Sequence, residues 1–225
     1  MMLVSDLIAK ARELLVDPDK VRWTDNELMS WLDSAYQQVI LHRPDANSSL
    51  ITHTCVPGPL QTLDSKLNGP LLLAVKRNIL TDANGNTSPG VPVRLVSITL
   101  ADTLIDTWYA APASSDGQVL EYMYDERTPR QFYVYPNATD KTKLELLVST
   151  IPTPHSDVSE SIAINNRYFG VLLDYVLYRA YLRDASTTHA KDLAITHLRS
   201  FADTLGIKLS VDNAITPIAI TGAVQ

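Results

Sequence analysis

Apolar residues near the C-terminal end of the chain repeat with the spacing of two amphipathic helices. Residues 169–181 and 190–205 each carry apolar side chains at steps of three and four. The polar segment 183–187 separates the two runs, and Gly206 follows the second as a helix-ending residue. Helices joined by so short a break are expected to form an antiparallel hairpin, whose apolar face needs a cover from elsewhere in the chain.

The N-terminal part of the chain supplies a matching pattern. Residues 3–16 place their apolar side chains on one helical face, and Pro18 ends that helix because proline disfavours helix in the residue before it. Thr24 and Glu27 form the capping-box pattern ahead of a second periodic run over residues 28–40. These two helices are predicted to cover the C-terminal hairpin.

The middle of the chain lacks the helical spacing of apolar residues and has the composition of short strands and turns. It contains ten prolines between residues 47 and 164, with Gly and Asn turn signals and short runs rich in β-branched and aromatic residues. Residues 97–104 are expected to form one or two helical turns, and Pro57-Gly58-Pro59 a turn. The predicted strands are 50–56, 71–80, 91–95, 118–124, 132–135 and 143–149, the last three forming an antiparallel meander.

The pattern therefore predicts an α+β fold. A four-helix bundle is built from residues 1–45 and 165–206, and a small antiparallel β domain, residues 46–164, is inserted between its two hairpins. Residues 207–225 carry only two charged side chains and are predicted to be an arm that docks onto a neighbouring subunit or partner. A frayed terminus or a strand of its own domain is an equal alternative.

Composition and charge narrow the function classes. The chain is 45% hydrophobic and 20% charged, which is typical of a soluble globular protein. Its only cysteine, Cys55, permits no internal disulfide, and neither a membrane-spanning apolar run nor a signal peptide is predicted. The net charge of −6, without a basic cluster, argues against a nucleic-acid-binding groove and suits a surface that DNA slides past.

No motif indicates catalysis. The five histidines lack metal-ligand spacing, and neither a phosphate-binding glycine loop nor a nucleophile elbow occurs. We therefore predict no catalytic, cofactor-binding or metal-binding residue. The alternative is a carbohydrate-binding or cell-wall-hydrolysing tail component that uses the meander's aromatic residues with Asp125, Glu126 and Glu145.

Two groups of residues are candidate subunit or partner contacts. The loop of residues 124–130 carries two acids and two arginines, so carboxylates of one subunit could meet arginines of the next. The helix of residues 169–183 carries aromatic and basic residues beyond its apolar stripe. The candidates are Asp125, Glu126, Arg127, Arg130, Tyr175, Tyr178, Arg179 and Arg183. A solvated loop and ordinary helix packing are the structural alternatives.

Several stretches together resemble the tailed-bacteriophage head-to-tail adaptor (connector) family. They are RWTDNELMSWLDSAYQQVILHRPDA at 22–46, RN at 77–78, YDERTPRQFYVYP at 124–136 and YFGVLLDYVLYRAYLRDA at 168–185. In layout the chain is also similar to adaptors of the tail tubular protein A type, which have helices from both chain ends and a β domain between them.

The resemblance implies a structural, non-enzymatic role in the virion. Such adaptors form a ring, commonly a dodecamer, beneath the portal protein, continue the DNA channel and dock the next tail component, a nozzle or tail tube. DNA passes without sequence-specific binding, no membrane is involved, and assembly takes place in the host cytoplasm. A tail-completion protein lower in the tail is a further alternative.

Overall fold

The computed structural model describes residues 2–104, 107–184 and 187–207, so most of the predicted arm lies outside the described residues. The helices are α1 (Val4–Leu15), α2 (Asp25–His42), α3 (Ile98–Leu104), α4 (Phe169–Arg183) and α5 (Thr188–Leu205). The strands are β1 (Ser48–Thr54), β2 (Gly58–Thr62), β3 (Leu71–Thr81), β4 (Thr87–Pro92), β5 (Arg94–Leu95), β6 (Glu121–Tyr124), β7 (Gln131–Ala138) and β8 (Lys143–Ser149). The chain divides into two compact units. The first consists of Met1–Ala35 and His155–Gln225, and the second of Tyr36–Pro154.

In the first unit, α4 packs against both α1 and α5. The predicted hairpin of α4 and α5 is formed: the rings of Tyr175 and Phe201 are 5.2 Å apart, and Tyr181 stacks on His197 at 5.7 Å. The Tyr181 hydroxyl also donates a hydrogen bond to the Leu14 carbonyl at 3.2 Å, so α4 is fixed to the end of α1. The central helix of the unit is therefore held on two sides.

The helix ends predicted at Thr24 and Gly206 are formed, and Thr187 adds a cap that was not predicted from the sequence. Thr24 and Glu27 make the capping box before α2, with Glu27 N–H donating to Thr24 Oγ1 at 3.3 Å and Thr24 N–H to the Glu27 carboxylate at 2.9 Å. Thr187 caps α5 by accepting from the N–H of Ala190 at 3.2 Å. Gly206 ends α5 with φ +74°, a left-handed conformation that glycine adopts without a Cβ penalty.

A buried charge cluster fixes the turn between α1 and α2. The guanidinium of Arg12 pairs with the carboxylates of Asp17 at 3.1 Å and Asp25 at 2.6 Å. Asp17 also accepts from the backbone N–H groups of residues 21–23. Burial pushes the pKa of Asp17 upward, but these N–H donors and Arg12 together hold it below its ordinary value. The turn is therefore specified by charge as well as by Pro18.

The second unit contains two four-stranded sheets around one core. The strand orders are β1-β8-β3-β4 and β2-β7-β6-β5, and all pairs are antiparallel except β5 with β6. Both sheets contribute to a shared set of buried side chains, namely Cys55, Leu63, Leu72, Val75, Val93, Val119, Tyr122, Phe132, Val134, Ala138, Leu144, Leu146 and Val148. The core lies between the sheets, as in a β-sandwich.

The predicted antiparallel meander over 118–150 is wrong in its last step. Strands β6 and β7 do pair, but β8 lies between β1 and β3 in the other sheet. A turn at Thr139–Thr142, closed by hydrogen bonds between these two threonines, carries the chain across. Alternating apolar residues show that both strands face a core, but they do not identify each strand's neighbours.

The prediction of a four-helix bundle with a small inserted β domain is also wrong. The described residues form five helices and two four-stranded sheets, and α3 lies in the β unit. The turn predicted at Pro57-Gly58-Pro59 overlaps β2, which contains Pro59, and the strand predicted over 91–95 omits residues 87–90 of β4, which contains Pro89 and Pro92. Both are edge strands, where a missing N–H donor is tolerated, so proline-rich stretches that resemble loops complete the sheets.

The segment that leads back into the first unit is organised around Glu160. Its carboxylate accepts hydrogen bonds from the hydroxyl and N–H of Ser156 at 2.6 and 3.1 Å and lies 2.8 Å from Nδ1 of His155. The Glu160 carbonyl accepts from the N–H of Val4 at 2.9 Å, which joins this segment to the start of α1. The Ser156 hydroxyl, followed by His155, lowers the pKa of Glu160 from 4.5 to about 2.

We expect this carboxylate to make stability fall in acid. Because the folded pKa is depressed, the contribution of Glu160 is complete above its ordinary pKa of 4.5 and is lost as pH falls towards about 2. Urea unfolding at a series of pH values should show Glu160→Gln less stable than the unmodified chain, with the difference shrinking below pH 4.5. Glu13→Gln on an exposed part of α1 is the control. If the stability of Glu160→Gln and that of the unmodified chain depend on pH in the same way, Glu160 does not have the depressed pKa.

Candidate subunit-contact site

The loop between β6 and β7 exposes all four of its predicted contact residues: Asp125, Glu126, Arg127 and Arg130. Asp125 shapes the turn, because its carboxylate accepts from the N–H of Arg127 at 2.9 Å and its carbonyl from the N–H of Thr128 at 2.9 Å. Across the described residues, Glu126, Arg127 and Arg130 form no ion pair. The loop therefore presents three charges that no described residue neutralises.

The backbone of this loop is anchored to the sheets. The carbonyl of Pro129 accepts from the N–H of Leu72 at 3.1 Å, and that of Arg130 accepts from the N–H of Leu63 at 2.8 Å. The loop closes on itself with a bond from the N–H of Gln131 to the carbonyl of Thr128 at 2.9 Å. The charges consequently project from a fixed backbone, and less conformational entropy is lost if they dock onto a partner.

The four candidates on α4 divide into two kinds. Tyr175 is 8% exposed and lies between the rings of Tyr178 and Phe201, so its main contacts are within the unit. Arg183 pairs with Glu27 at the start of α2. Tyr178 and Arg179 are half-buried, and Arg179 has no ion pair with any described residue. Tyr175 and Arg183 are thus used for contacts within the unit. Tyr178, although its ring lies against Tyr175, and Arg179 remain partly accessible to a partner.

The residues of the carbohydrate alternative do not converge. Glu145 lies on β8 and pairs with Arg77 at 3.5 Å, whereas Asp125 and Glu126 lie in the loop from β6, in the other sheet. Phe132 and Tyr122 belong to the buried core. Tyr133 and Tyr135 pack against a second cluster formed by Ala101, Trp108 and Met123. The meander's aromatic residues thus serve mainly as packing rather than as an exposed stacking surface.

Titratable side chains elsewhere are engaged in structural contacts. Nδ1 of His197 lies 2.8 Å from Asp174, and the hydroxyl of Ser200 donates to the same carboxylate at 2.6 Å. Burial raises the pKa of the Cys55 thiol to about 12, which makes it a poor nucleophile. Among the described residues no group of three or more His, Cys, Asp or Glu could hold a metal ion. No helix in the described ranges is long and apolar enough to cross a bilayer.

Sequence reasoning overlooked the apolar side chains exposed in the turn after α1. Val16 and Val21 are both largely exposed there. Next to them Arg22 pairs with Asp184. The available signal was the presence of two valines in a stretch otherwise made of charged and turn residues, where no apolar periodicity requires them.

Comparison with known proteins supplies the family. The model of the SU10 adaptor protein family matches residues 2–221, which is nearly the whole chain and includes both units. No curated protein matches the chain. The match confirms the predicted resemblance to phage adaptor proteins and, with it, a structural role in the virion. The chain therefore belongs to the SU10 adaptor protein family and is a structural head–tail adaptor of a bacteriophage.

Proposed function

We propose that this adaptor assembles as a ring, of about twelve copies by the adaptor resemblance, beneath the portal of a tailed phage. There it continues the DNA channel and docks the tail. The observation that carries the proposal is the family match over residues 2–221. The finer likeness to tail tubular protein A adaptors, and the role of the host cytoplasm as the place of assembly, are parts of the same proposal.

The charge of the chain is compatible with a DNA conduit. The sequence has 25 acidic and 19 Lys or Arg residues, and phosphates are repelled rather than held by an acidic surface. A protein that grips DNA neutralises phosphates with clustered cations, which makes its binding strongly salt-dependent. An acidic channel lining lets DNA move through without sequence-specific contacts.

The exposed β6–β7 loop supports a contact between neighbouring subunits. Glu126, Arg127 and Arg130, which form no ion pair with any residue that the structure describes, stand on an anchored backbone, and arginine forks pair well with carboxylates. A loop that carries both signs of charge can meet the same kind of loop or another mixed surface on the next copy. We propose Asp125, Glu126, Arg127 and Arg130 as subunit contacts, with Tyr178 and Arg179 of α4 as a second contact region.

Arg127→Glu should weaken ring assembly without unfolding the subunit. The side chain is exposed and has no ion pair within the described residues, so the folded state loses little, whereas the partner's carboxylate would meet a like charge. Sedimentation of portal-templated assemblies should show a loss of assembled material that is greatest at low salt. The melting curve of the subunit should stay unchanged.

Charge reversal offers a rescue that a folding defect cannot imitate. Subunits carrying Arg127→Glu, mixed with subunits carrying Glu126→Arg, should assemble better than either variant alone. Arg199→Glu on the exposed part of α5 makes the same change of charge elsewhere and is the control. Full assembly by Arg127→Glu alone would remove this loop from the interface.

Direct binding to the portal tests the proposed position in the virion. Purified full-length chain, mixed with portal complexes from the same phage, should bind in a ratio set by the ring and appear as density on the tail side of the portal. Because a ring component can remain monomeric until it meets its template, the portal must be present. Binding to a tail component but not to portal would support a tail-completion protein and contradict the proposal.

A further inference from the structure

The edges of the two sheets are protected unequally. Among the described strands, four lie at sheet edges: β1, β4, β2 and β5. Strand β4 contains Pro89 and Pro92, β2 contains Pro59, and β5 is only two residues long, all of which discourage pairing with another chain. Strand β1, with the sequence SSLITHT, has seven residues and neither proline nor a Lys, Arg, Asp or Glu side chain. Among the edge strands that the structure describes, β1 alone lacks these protective features.

The hydrogen-bond register shows which groups this edge presents. The N–H of Cys55 donates to the carbonyl of Thr142 directly opposite, and the N–H of Thr150 donates to the carbonyl of Asn47. Odd-numbered residues of β1 therefore bond to β8, and the N–H and C=O groups of Leu50, Thr52 and Thr54 point away from it. In the described part of the chain β1 pairs only with β8, so these groups form an open ladder.

The side chains of the same residues extend the open edge. Leu50, Thr52 and Thr54 are exposed, and Leu50 is 57% exposed. Leu50 stands opposite Leu147 of β8, which in turn stands opposite Ala74 of β3, so an apolar row crosses the sheet and ends at this edge. A further strand with an apolar side chain beside Leu50 would continue the row and bury it.

We propose that β1 accepts the segment 208–225 of a second copy of this chain as an added antiparallel strand. These eighteen residues follow α5, lie outside the described residues and could span about 60 Å if extended, because an extended chain advances about 3.3 Å per residue. Their sequence suits a strand, since Thr216, Ile218, Ile220, Thr221 and Val224 are β-branched. No charged residue follows Asp212, which matches the uncharged edge.

Proline in the segment fits the outermost position. In an added strand, Pro217 is tolerated where its nitrogen faces away from β1, which directs the N–H groups of Thr216, Ile218 and Ile220 towards β1. The same proline then protects the new edge from further addition. Donation from each copy to the next is a heterologous contact, and such contacts close into a ring when the rotation permits. The inference adds this contact to the proposed ring but does not rest on portal binding.

Disulfide trapping tests the pairing directly. Full-length chain carrying Thr52→Cys is equilibrated in a thiol–disulfide buffer with synthetic peptides of residues 208–225, each bearing one cysteine at successive positions from 214 to 222. Disulfides should form several-fold more at the even-numbered positions 216, 218 and 220 than at the odd-numbered positions 217 and 219, because even-numbered residues share the face of residue 52 in the proposed antiparallel pair. The buried Cys55 is shielded from exchange.

Three controls make the result decisive. Ser88→Cys on β4, beside Pro89, should trap no peptide position preferentially. A 1:1 mixture of full-length Thr52→Cys and Ile220→Cys chains should give covalent dimers that contain one of each. Equal trapping at all peptide positions, or dimers formed mainly between two Thr52→Cys chains, would overturn the proposal. So would a double variant, Thr52→Cys with Ile220→Cys, that closes within one chain and forms no covalent dimer.

Discussion

Val176→Asp is expected to abolish the cooperative unfolding of the helical unit. Val176 lies in the middle of α4 and is 0% exposed, and α4 is the helix that packs against both α1 and α5. Burial of an unpaired carboxylate costs several kcal/mol, and the whole stability of a domain is about 5–15 kcal/mol. Circular dichroism melting should therefore show a broad, weak transition or none.

Two comparison variants separate burial from charge. Ile195→Asp places the same carboxylate on an exposed part of α5 and should leave a cooperative transition close to that of the unmodified chain. The apolar spacing of residues 169–181 predicts that Leu173 is as buried as Val176, but Leu173 is only half-buried. Leu173→Asp should therefore destabilise the unit less than Val176→Asp does. A cooperative transition of normal midpoint for Val176→Asp would contradict the position of α4 in the core.

Asn78→Ala should strongly destabilise the β unit. Asn78 is 2% exposed, and its amide donates to the carbonyls of Val119 at 2.7 Å and Val91 at 3.0 Å while accepting from the N–H of Val119 at 2.9 Å. Alanine leaves these three backbone groups without partners, and each unsatisfied buried group costs about 1–3 kcal/mol. We expect a total loss of about 3 kcal/mol or more in urea unfolding.

Asn68→Ala is the matched control for this substitution. Asn68 is exposed, and its amide donates to the carbonyl of Ile151, which water can replace as a partner. The expected loss of stability is below about 1 kcal/mol. If both variants lose equal stability, Asn78 does not join β3 to the segment that precedes β6. The Arg77-Asn78 pair, part of the adaptor resemblance, would then need another explanation.

The helices of the fold could be predicted from the sequence, because their signals are local. The three-and-four spacing of apolar residues and the caps at Thr24 and Gly206 place α1, α2, α4 and α5 within one or two residues of their observed bounds. These signals depend on neighbouring residues and survive without knowledge of the tertiary structure. Most strand positions in the second unit could be predicted for the same reason, because short β-rich runs are also local signals.

Strand neighbours could not be predicted, because they depend on contacts distant in sequence. Nothing within residues 131–149 distinguishes β8 paired with β7 from β8 placed between β1 and β3. Proline is tolerated in edge strands but not in central ones, and the position of a strand in its sheet is not a local signal. The predicted turn at Pro57-Gly58-Pro59 therefore overlaps β2, and the strand predicted over 91–95 omits residues 87–90 of β4. The ion pairs of Arg12 with Asp17 and Asp25 likewise require the turn to be folded first.

The candidate site was predicted in part. The density of charge in the β6–β7 loop indicated an exposed turn, and the loop is exposed. On α4 the sequence could not separate side chains used within the unit from those left for a partner. Tyr175 proved to be buried and Arg183 to be paired with Glu27, because α5 and α2 supply contacts that no helical pattern contains. The assignment of the exposed loop residues as subunit contacts stays a prediction.

The central claim is that this adaptor forms a ring at the junction of head and tail, and its position in the virion tests it most directly. The tip Asp82–Asn86 between β3 and β4 is exposed and suits a short inserted tag, since loop tips tolerate insertion. In electron micrographs of tagged virions, the account predicts label in a ring directly beneath the portal. Label on the capsid shell or at the distal tip of the tail would contradict it.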